Sequence, residues 1–342
     1  MSEFRRRLLV QSKNDNPILD NYLTIVALED GLTAKLSLNA CEYCVDGDGN
    51  WKTLPADTET EAINAGHTLS FRGNLTPSSS VGVGTFTVNK YFNLKGNCMS
   101  LLFGDDGKIH FSLEGMNGAF RSLFEGSKNL IDVSELVLQA SILSTNCYAY
   151  MFKNCTAITL APKLPAMTLA NECYNGMFMG CTNLTSAPEL PSMTLANECY
   201  SHMFYSCKTL TVAPELPATA LKSGCYRNMF YGCASLTKTP DLPAITLETR
   251  CYEGMFNGAT SLTVAPHLPA TTLVLMCYYN MFNNCCKLAY IKMMATDINA
   301  QYCLYGWVSG VAQSGIFVKN KDAIWDVRGV NGIPEGWTVI TE

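Results

Sequence analysis

Cysteine is the residue type with the most chemical potential in this 342-residue sequence, which contains 16 of them. One series recurs every 26 residues, and a second series lies eight residues further on, with alanine at 259: Cys147, Cys173, Cys199, Cys225, Cys251, Cys277 and Cys303, then Cys155, Cys181, Cys207, Cys233 and Cys285. Zinc needs four ligands that converge on one point, which a linear series does not provide. Disulfides between neighbouring repeats remain an alternative, although each cysteine has two neighbours and can bond only one. We predict buried free thiols, because cysteine is small, apolar and readily buried.

Two shorter motifs near the N-terminus invite a metal or redox interpretation. Cys41-x-x-Cys44 has no second pair nearby, so we expect two packed strand residues. Asp46–Asn50 reads Asp-Gly-Asp-Gly-Asn, like the start of a calcium loop, but Trp51 and Asp57 occupy the positions that require glycine and glutamate. The segment also weakly resembles an Asp-box hairpin. A structural turn is therefore the favoured interpretation, and no metal site is predicted.

No combination of residues indicates catalysis. The four histidines, His67, His110, His202 and His267, are scattered and lie in no zinc-protease pattern. The sequence contains no nucleophile elbow, no phosphate-binding loop and no dinucleotide fingerprint before a helix. We predict a protein that is not an enzyme, with no catalytic residues and no cofactor.

Charge and hydropathy argue against nucleic-acid binding and against a membrane span. The formal net charge is −5, and the one dense basic cluster is Arg5–Arg7, so nucleic-acid binding is not expected. No apolar run reaches the roughly 18–20 residues that span a membrane. Leu8–Val10 is also shorter than the about 7–15 apolar residues of a signal peptide. We therefore expect cytoplasmic synthesis with release by lysis.

The 26-residue period involves far more than cysteine. Tyrosine follows the first-series cysteines from Cys147 to Cys277, and a Met-Phe pair comes three residues later. Two prolines then close a P-x-x-P segment, as in Tyr174, Met177-Phe178 and Pro188–Pro191. The positions i, i+1, i+4, i+5 and i+8 predict one face of a short helix. Proline forbids helix in the second half and favours extended backbone. Such a repeat buries its apolar face by stacking on its neighbours, which predicts a solenoid.

Four segments follow from this pattern. Residues 1–17 form an N-terminal arm, and 18–118, which lack the repeat, contain strand-like runs that predict a small antiparallel β-sandwich. Residues 119–303 form the solenoid, beginning with a degenerate repeat around Leu123-Phe124. Residues 304–342 carry three tryptophans and are predicted to cap the last repeat. The fold class expected is an α+β repeat protein.

The pattern F-x-x-C-x-x-L-x-x-x-P-x-L-P-x-x-T-L, seen from Phe178 to Leu195, resembles the BspA-like leucine-rich repeat family. The resemblance covers roughly residues 119–342, in a long variant with an added C-Y-x-x-M segment. It implies a leucine-rich-repeat solenoid and a surface-exposed protein of gut or oral bacteria, protists or gut phages that binds host proteins, matrix or cells. It implies no catalytic residues.

The outward positions of a solenoid are those that vary between repeats. They follow the Cys-Tyr and Met-Phe pairs, and the larger side chains there suit recognition because they combine contact area with hydrogen bonding. The binding residues that we predict on one helical face are Tyr205, Tyr231, His202, Arg227 and Tyr279. Plain solvated surface is the alternative interpretation for these five.

Two functions fit these features, and a third, an enzyme or a carbohydrate-active accessory domain, is the least favoured. The first is adhesion or recognition of a cell-surface protein or glycan, by a protein located outside the cell, on its surface or on a phage virion or tail. The alternative is assembly, in which residues 1–118 dock into a homo-oligomer or a virion and the solenoid is spacer or decoration. The sequence leaves the ligand and the oligomeric state open.

Overall fold

The computed structural model describes residues 21–342. Residues 1–20, which include Arg5–Arg7 and the whole predicted arm, lie outside the described residues. The described part contains eleven strands, a single turn of α-helix, α1 (Ser100–Phe103), and a 3₁₀-helix (Gly104–Ile109). The strands are β1 (Leu23–Ala27), β2 (Ala34–Leu36), β3 (Cys41–Val45), β4 (Lys52–Leu54), β5 (Thr68–Arg72), β6 (Phe86–Val88), β7 (Phe92–Asn97), β8 (Leu130–Val137), β9 (Tyr290–Met293), β10 (Ile316–Lys319) and β11 (Thr338–Thr341).

The N-terminal region is rich in strands, as its alternating apolar residues predict. A six-stranded sheet has the order β4-β3-β5-β1-β7-β8, and β2 pairs with β6 in a separate two-stranded sheet. The expected hairpin is confirmed, since β3 and β4 pair antiparallel on either side of Asp46–Asn50. The strand pairs within residues 18–118 are all antiparallel, as predicted, and β8, which belongs to the first repeat, pairs parallel with β7. Parallel neighbours need a long crossover, which residues 98–129 provide.

The first sheet is continuous with the repeats. Strand β8 lies in the degenerate first repeat, and its residues Leu130, Val133 and Leu136 are buried. The ring of Phe124 lies 5.4 Å from Phe86 of the N-terminal core and 6.1 Å from Phe152 of the next repeat. The two regions therefore share one apolar core, and the domain limits proposed at 17, 118 and 303 stay predictions.

The stacking that the 26-residue period predicts is present. Buried tyrosines form one column with ring centroids 5.7–6.0 Å apart: Tyr148, Tyr174, Tyr200, Tyr226, Tyr252 and Tyr278. Buried phenylalanines form a second column at 5.6–6.1 Å: Phe124, Phe152, Phe178, Phe204, Phe230, Phe256 and Phe282. Burying one phenylalanine contributes roughly 1.5–3 kcal/mol, so the columns are a large part of the core energy.

The predicted short helix of each repeat is wrong. In the repeat that begins at Cys225, the amides of Cys225, Arg227, Met229, Tyr231 and Cys233 donate to carbonyls three residues back. The intervening amides donate instead to carbonyls of the next repeat, as in Tyr226 to Cys251 (3.1 Å). An α-helix would use every amide internally. Each repeat thus contains a ribbon of overlapping turns, which we call the turn ribbon.

A positive φ at every fourth residue explains why no helix forms. Gly224, Asn228 and Gly232 have φ of 60°, 51° and 70°, and the corresponding residues of the other repeats are also positive. A left-handed residue interrupts a right-handed helix, and glycine and asparagine adopt it most readily. The ribbon points two residues inward and two outward in alternation. This spacing also gives i, i+1, i+4, i+5 and i+8, so the sequence pattern was compatible with both structures.

The second half of each repeat is extended, as the prolines predict. Isolated parallel bridges join equivalent residues, including Leu160 with Ser186 and Thr168 with Thr194. Threonine hydroxyls add bonds between repeats, since Thr185 donates to the carbonyl of Thr159 at 3.1 Å. At the C-terminal end, β9, β10 and β11 continue the parallel pairing as a three-stranded sheet. Trp307 is fully buried there, 6.5 Å from Tyr278 and 6.0 Å from Phe282.

The sixteen cysteines are free thiols, and fifteen of them are buried. Members of the second series donate their thiol hydrogen to a phenylalanine carbonyl of the preceding repeat, as Cys181 does to Phe152 at 3.1 Å. Burial raises the pKa of the Cys233 thiol to about 12. Buried thiols of this kind are core residues, as predicted. Cys286 is the exposed thiol.

The turn ribbon and a helix give opposite predictions for Gly258→Ala. Gly258 has φ of 75°, and an added Cβ would meet Gly232 at an ordinary distance of 3.5 Å. We expect the substitution to lower the free energy of unfolding by about 1 kcal/mol, because alanine resists the left-handed conformation. In a helix it would stabilise by about 0.8–1.0 kcal/mol. Urea denaturation measures the sign, with Ser261→Ala, outside the positive-φ positions, as the control.

Thiol titration tests the state of the cysteines. Without reductant, we expect one thiol per folded chain, Cys286, to react rapidly with an aromatic disulfide reagent. All sixteen should react after unfolding in guanidinium, because exposure and thiolate formation control the rate. A total below sixteen in denaturant would show that disulfides exist. A Cys286→Ser variant that still reacts rapidly would contradict the assignment of that thiol.

Candidate functional site

The outward side chains of the turn ribbons form one face, which we call the outward face. In each repeat it comprises the two residues after Cys-Tyr and the two after Met-Phe, such as Arg227-Asn228 and Tyr231-Gly232. Four of the side chains at these positions are buried: Ala149, Asn175, Ser201 and Asn257. The same positions of successive repeats lie next to each other, because the backbone amides of one ribbon bond the next. The face therefore displays variable side chains on a constant core.

Tyr205 and Tyr231 form a stacked pair on the outward face. Their ring centroids are 4.5 Å apart, the rings are within 2° of parallel, and both side chains are half-buried. Partial burial raises the pKa of Tyr205, and the neighbouring Tyr231 adds to the shift. The pair presents two ring edges and two hydroxyls at fixed positions.

His202 lies beside this pair, 5.9 Å from the Tyr205 ring. Its Nδ1 is 2.8 Å from the Ser201 hydroxyl, and its Nε2 is 3.2 Å from the side-chain nitrogen of Asn228. Burial lowers the pKa of His202 to about 4, and the positive charge of Arg227 acts in the same direction. A neutral imidazole that accepts from Asn228 satisfies both neighbours, so His202 orders the face.

Arg227 connects three repeats through charge. Its guanidinium lies 4.0 Å from a carboxylate oxygen of Glu198 and 3.4 Å from one of Glu253, which also pairs with Arg250 at 3.5 Å. These are ion-pair distances without directed hydrogen bonds, since Nε of Arg227 and Oε2 of Glu253 are buried and lack a hydrogen-bond partner. The equivalent positions of adjacent repeats, Arg227 and Glu253, have opposite charges, so like charges are not stacked on each other.

Tyr279 belongs to a different part of the face. Its ring stacks on Tyr305 at 5.2 Å and 13°, and Tyr302 meets Tyr305 edge-on at 6.0 Å and 88°. Four of the five predicted residues thus gather around Tyr205 and Tyr231, while Glu253 occupies the equivalent position between Arg227 and Tyr279. Tyr302 and Tyr305 are not among the five predicted residues. Tyr305 is equivalent to Tyr279 in the repeat at Cys303, so the 26-residue period identifies it.

The two N-terminal motifs have structural roles in strand β3 and in the turn that follows it. Asp46 accepts from the Thr68 amide at 2.8 Å and lies 2.6 Å from His67 Nδ1, while Asp48 accepts from the Asn50 amide at 2.9 Å. Cys41 and Cys44 are buried in β3. Within residues 21–342, no three histidine, cysteine, aspartate or glutamate side chains come together as a possible metal site. The same residues include no helix long and apolar enough to cross a membrane.

Comparison with known proteins adds little to this geometry. No family model and no curated protein matches the chain. A solved structure of a leucine-rich repeat protein from Bacteroides ovatus ATCC 8483 aligns with 17% identity and a TM-score of 0.31. The alignment covers 64% of this chain and 62% of that protein, which is less than two thirds of its length.

His202 makes stability depend on pH in a defined window. Its pKa is about 4 when folded, against an ordinary 6.5, so the unfolded chain takes up the proton first. The neutral His202 side chain contributes its full share of the free energy of unfolding above pH 6.5. This share, about 2 kcal/mol after allowance for solvent screening, is lost as the pH falls towards 4. His202→Asn should remove that part of the acid sensitivity, because asparagine occupies the equivalent positions 228 and 280.

Urea midpoints measured between pH 4 and 7.5 for the parent and the His202→Asn variant check this dependence. Both proteins keep the other three histidines, so the difference between the two pH curves belongs to His202. Parallel curves would contradict the depressed pKa.

Proposed function

We propose that this protein is a non-enzymatic binding protein that recognises a protein or glycan on a cell surface through its outward face. The stacked repeats would then be a solenoid of the leucine-rich-repeat type that holds this face rigid. The observation that carries the proposal is the contrast between constant inward residues and the variable outward residues that cluster around Tyr205 and Tyr231. Rigid tyrosines lose little conformational entropy on binding, which favours them at recognition surfaces.

The location that suits this function is outside the cell, at a cell surface or on a phage virion or tail. The ion-pair network around Arg227 supports a protein partner at the middle repeats, because charged groups set orientation and specificity. Hydroxyls of Tyr205 and Tyr231 offer hydrogen bonds in the same area.

Substitution of the tyrosine pair tests the proposal. We expect Tyr205→Ala with Tyr231→Ala to weaken binding of the full chain to intact cells at least tenfold, because aromatic side chains dominate interface energies. The measurement is a saturation curve by flow cytometry against bacterial and epithelial cells. The matched control is Thr211→Ala with Thr237→Ala, two exposed residues of the extended segments. Equal binding by both double variants would contradict the proposal.

A second candidate is an assembly role for the N-terminal region, supported by a patch of exposed apolar side chains. Ile109, Phe111 and Ile142 are 64%, 56% and 50% exposed, and the Phe111 carbonyl accepts from the Ile142 amide at 3.4 Å. Contiguous apolar surface marks interaction sites. Light scattering distinguishes this candidate, because the full chain would associate and Phe111→Ser would reduce the association.

A further inference from the structure

Three tyrosines group at the C-terminal end of the outward face: Tyr279 and Tyr305 of the face itself, and Tyr302, which precedes Cys303 and lies beside it. We call this group the C-terminal tyrosine cluster. Tyr302 and Tyr305 are 49% and 50% exposed, whereas Tyr279 is half-buried beneath Tyr305. Because Tyr302 stands at 88° to Tyr305, the two rings make an open angle at the surface. This cluster is separate from the pair Tyr205 and Tyr231.

Tyr305 is the last ring of the outward stack that begins at Tyr279, and it ends differently from the buried tyrosine and phenylalanine columns. In the inward tyrosine and phenylalanine columns, Trp307 covers the last ring. The ring contacts of Tyr305 within residues 21–342 are Tyr279 and Tyr302, and half of its surface stays exposed. Stacking in this column therefore ends on a ring that is half exposed. A flat apolar face of a ligand would complete it.

Side-chain amides lie beside the cluster. Asn280 and Asn283 are joined by a hydrogen bond of 3.3 Å, and Asn284 is exposed. The next repeat has Gly306 and Gly310 at the positions that correspond to Asn280 and Asn284, and a Cβ on Gly306 would collide with the Asn280 side-chain oxygen. Glycine therefore leaves room for these amides at the end of the face. Each amide offers both donors and an acceptor.

The C-terminal end of the outward face differs from its middle in having no charged side chains at the outward positions. The middle repeats carry a chain of three ion pairs, each within 4.0 Å: Glu198 with Arg227, Arg227 with Glu253, and Glu253 with Arg250. The outward positions of the repeats at Cys277 and Cys303 are tyrosine, asparagine, serine and glycine, with no ionised group among them. A ligand bound here meets aromatic and amide groups, which suits an uncharged molecule.

We propose that the C-terminal tyrosine cluster binds an uncharged pyranose unit of a glycan. A pyranose ring has one face of C–H groups, which packs on an aromatic ring, and a rim of hydroxyls, which bond side-chain amides. The Tyr302–Tyr305 angle receives the C–H face, and Asn280, Asn283 and Asn284 receive the hydroxyls. The surface is shallow, so a single sugar binds with a Kd of roughly millimolar order, and neighbouring units of a chain add affinity. This inference rests on the proposed recognition function and names the ligand class at one part of the face.

Saturation-transfer NMR with the full chain tests the site. The probes are the methyl glycosides of glucose, galactose, mannose and N-acetylglucosamine, with methyl glucuronide as the charged comparison. We expect at least one uncharged glycoside to bind, Tyr305→Ala to lower its affinity at least tenfold, and Tyr305→Phe, which keeps the ring, to stay within threefold. Near-ultraviolet circular dichroism verifies that both variants are folded.

The matched control is Tyr91→Ala, which removes a 39% exposed ring outside the outward face and should leave sugar binding unchanged. Absence of binding by every uncharged glycoside, or equal binding by the parent and Tyr305→Ala, overturns the inference. Cell binding that is lost in the Tyr205/Tyr231 double variant while no sugar binds would overturn the sugar site alone. Sugar binding that is lost in Tyr305→Ala, in a protein that binds no cells, supports the site and contradicts cell recognition through the middle cluster.

Discussion

The structure depends on one constraint, which is that every second amide of a turn ribbon donates to the next repeat. Each ribbon satisfies only half of its donors internally, so it cannot be stable alone, and the buried donors require a neighbour. The same bonds set the separation of the repeats, which the aromatic columns show as 5.6–6.1 Å. Tyrosine and phenylalanine rings at that spacing stack face to face, and the second cysteine series fits between ribbons as a small thiol donor. Backbone pairing and side-chain packing thus demand the same geometry.

A face of variable residues follows from this constraint. The core pairs Cys-Tyr and Met-Phe alternate with the outward pairs, so substitutions at the exposed outward positions leave the core unchanged. Positive φ at every fourth residue explains the frequency of glycine and asparagine on the face, and it decides where larger side chains fit. Gly306, for example, leaves space for the Asn280 side chain. Tyr302 also has a positive φ, but its large ring fits because it is exposed. Recognition and folding therefore use different residues of the same repeat.

Much of this architecture was predictable from the sequence, because the period of Cys147, Cys173 and their successors is direct evidence of stacking. The local conformation was not, since Cys225, Tyr226, Met229 and Phe230 suit one face of a helix and one side of a turn ribbon equally well. The glycines and asparagines at 228, 232, 254 and 258 held the missing signal. The grouping of Tyr205, Tyr231, His202 and Arg227 followed from their positions in the repeat. The ion pairs of Arg227, the hydrogen bonds of His202 and the Tyr302–Tyr305 angle depend on side-chain conformations, which periodicity does not determine.

The central claim is that the ribbons are joined by backbone hydrogen bonds between repeats. The most direct test is the scalar coupling across a hydrogen bond, measured by NMR on deuterated protein, from the amide nitrogen of Tyr226. The structure predicts a coupling to the carbonyl carbon of Cys251, whose oxygen is 3.1 Å from that nitrogen. A coupling to Lys222, four residues earlier, would show an α-helix and would contradict the turn ribbon.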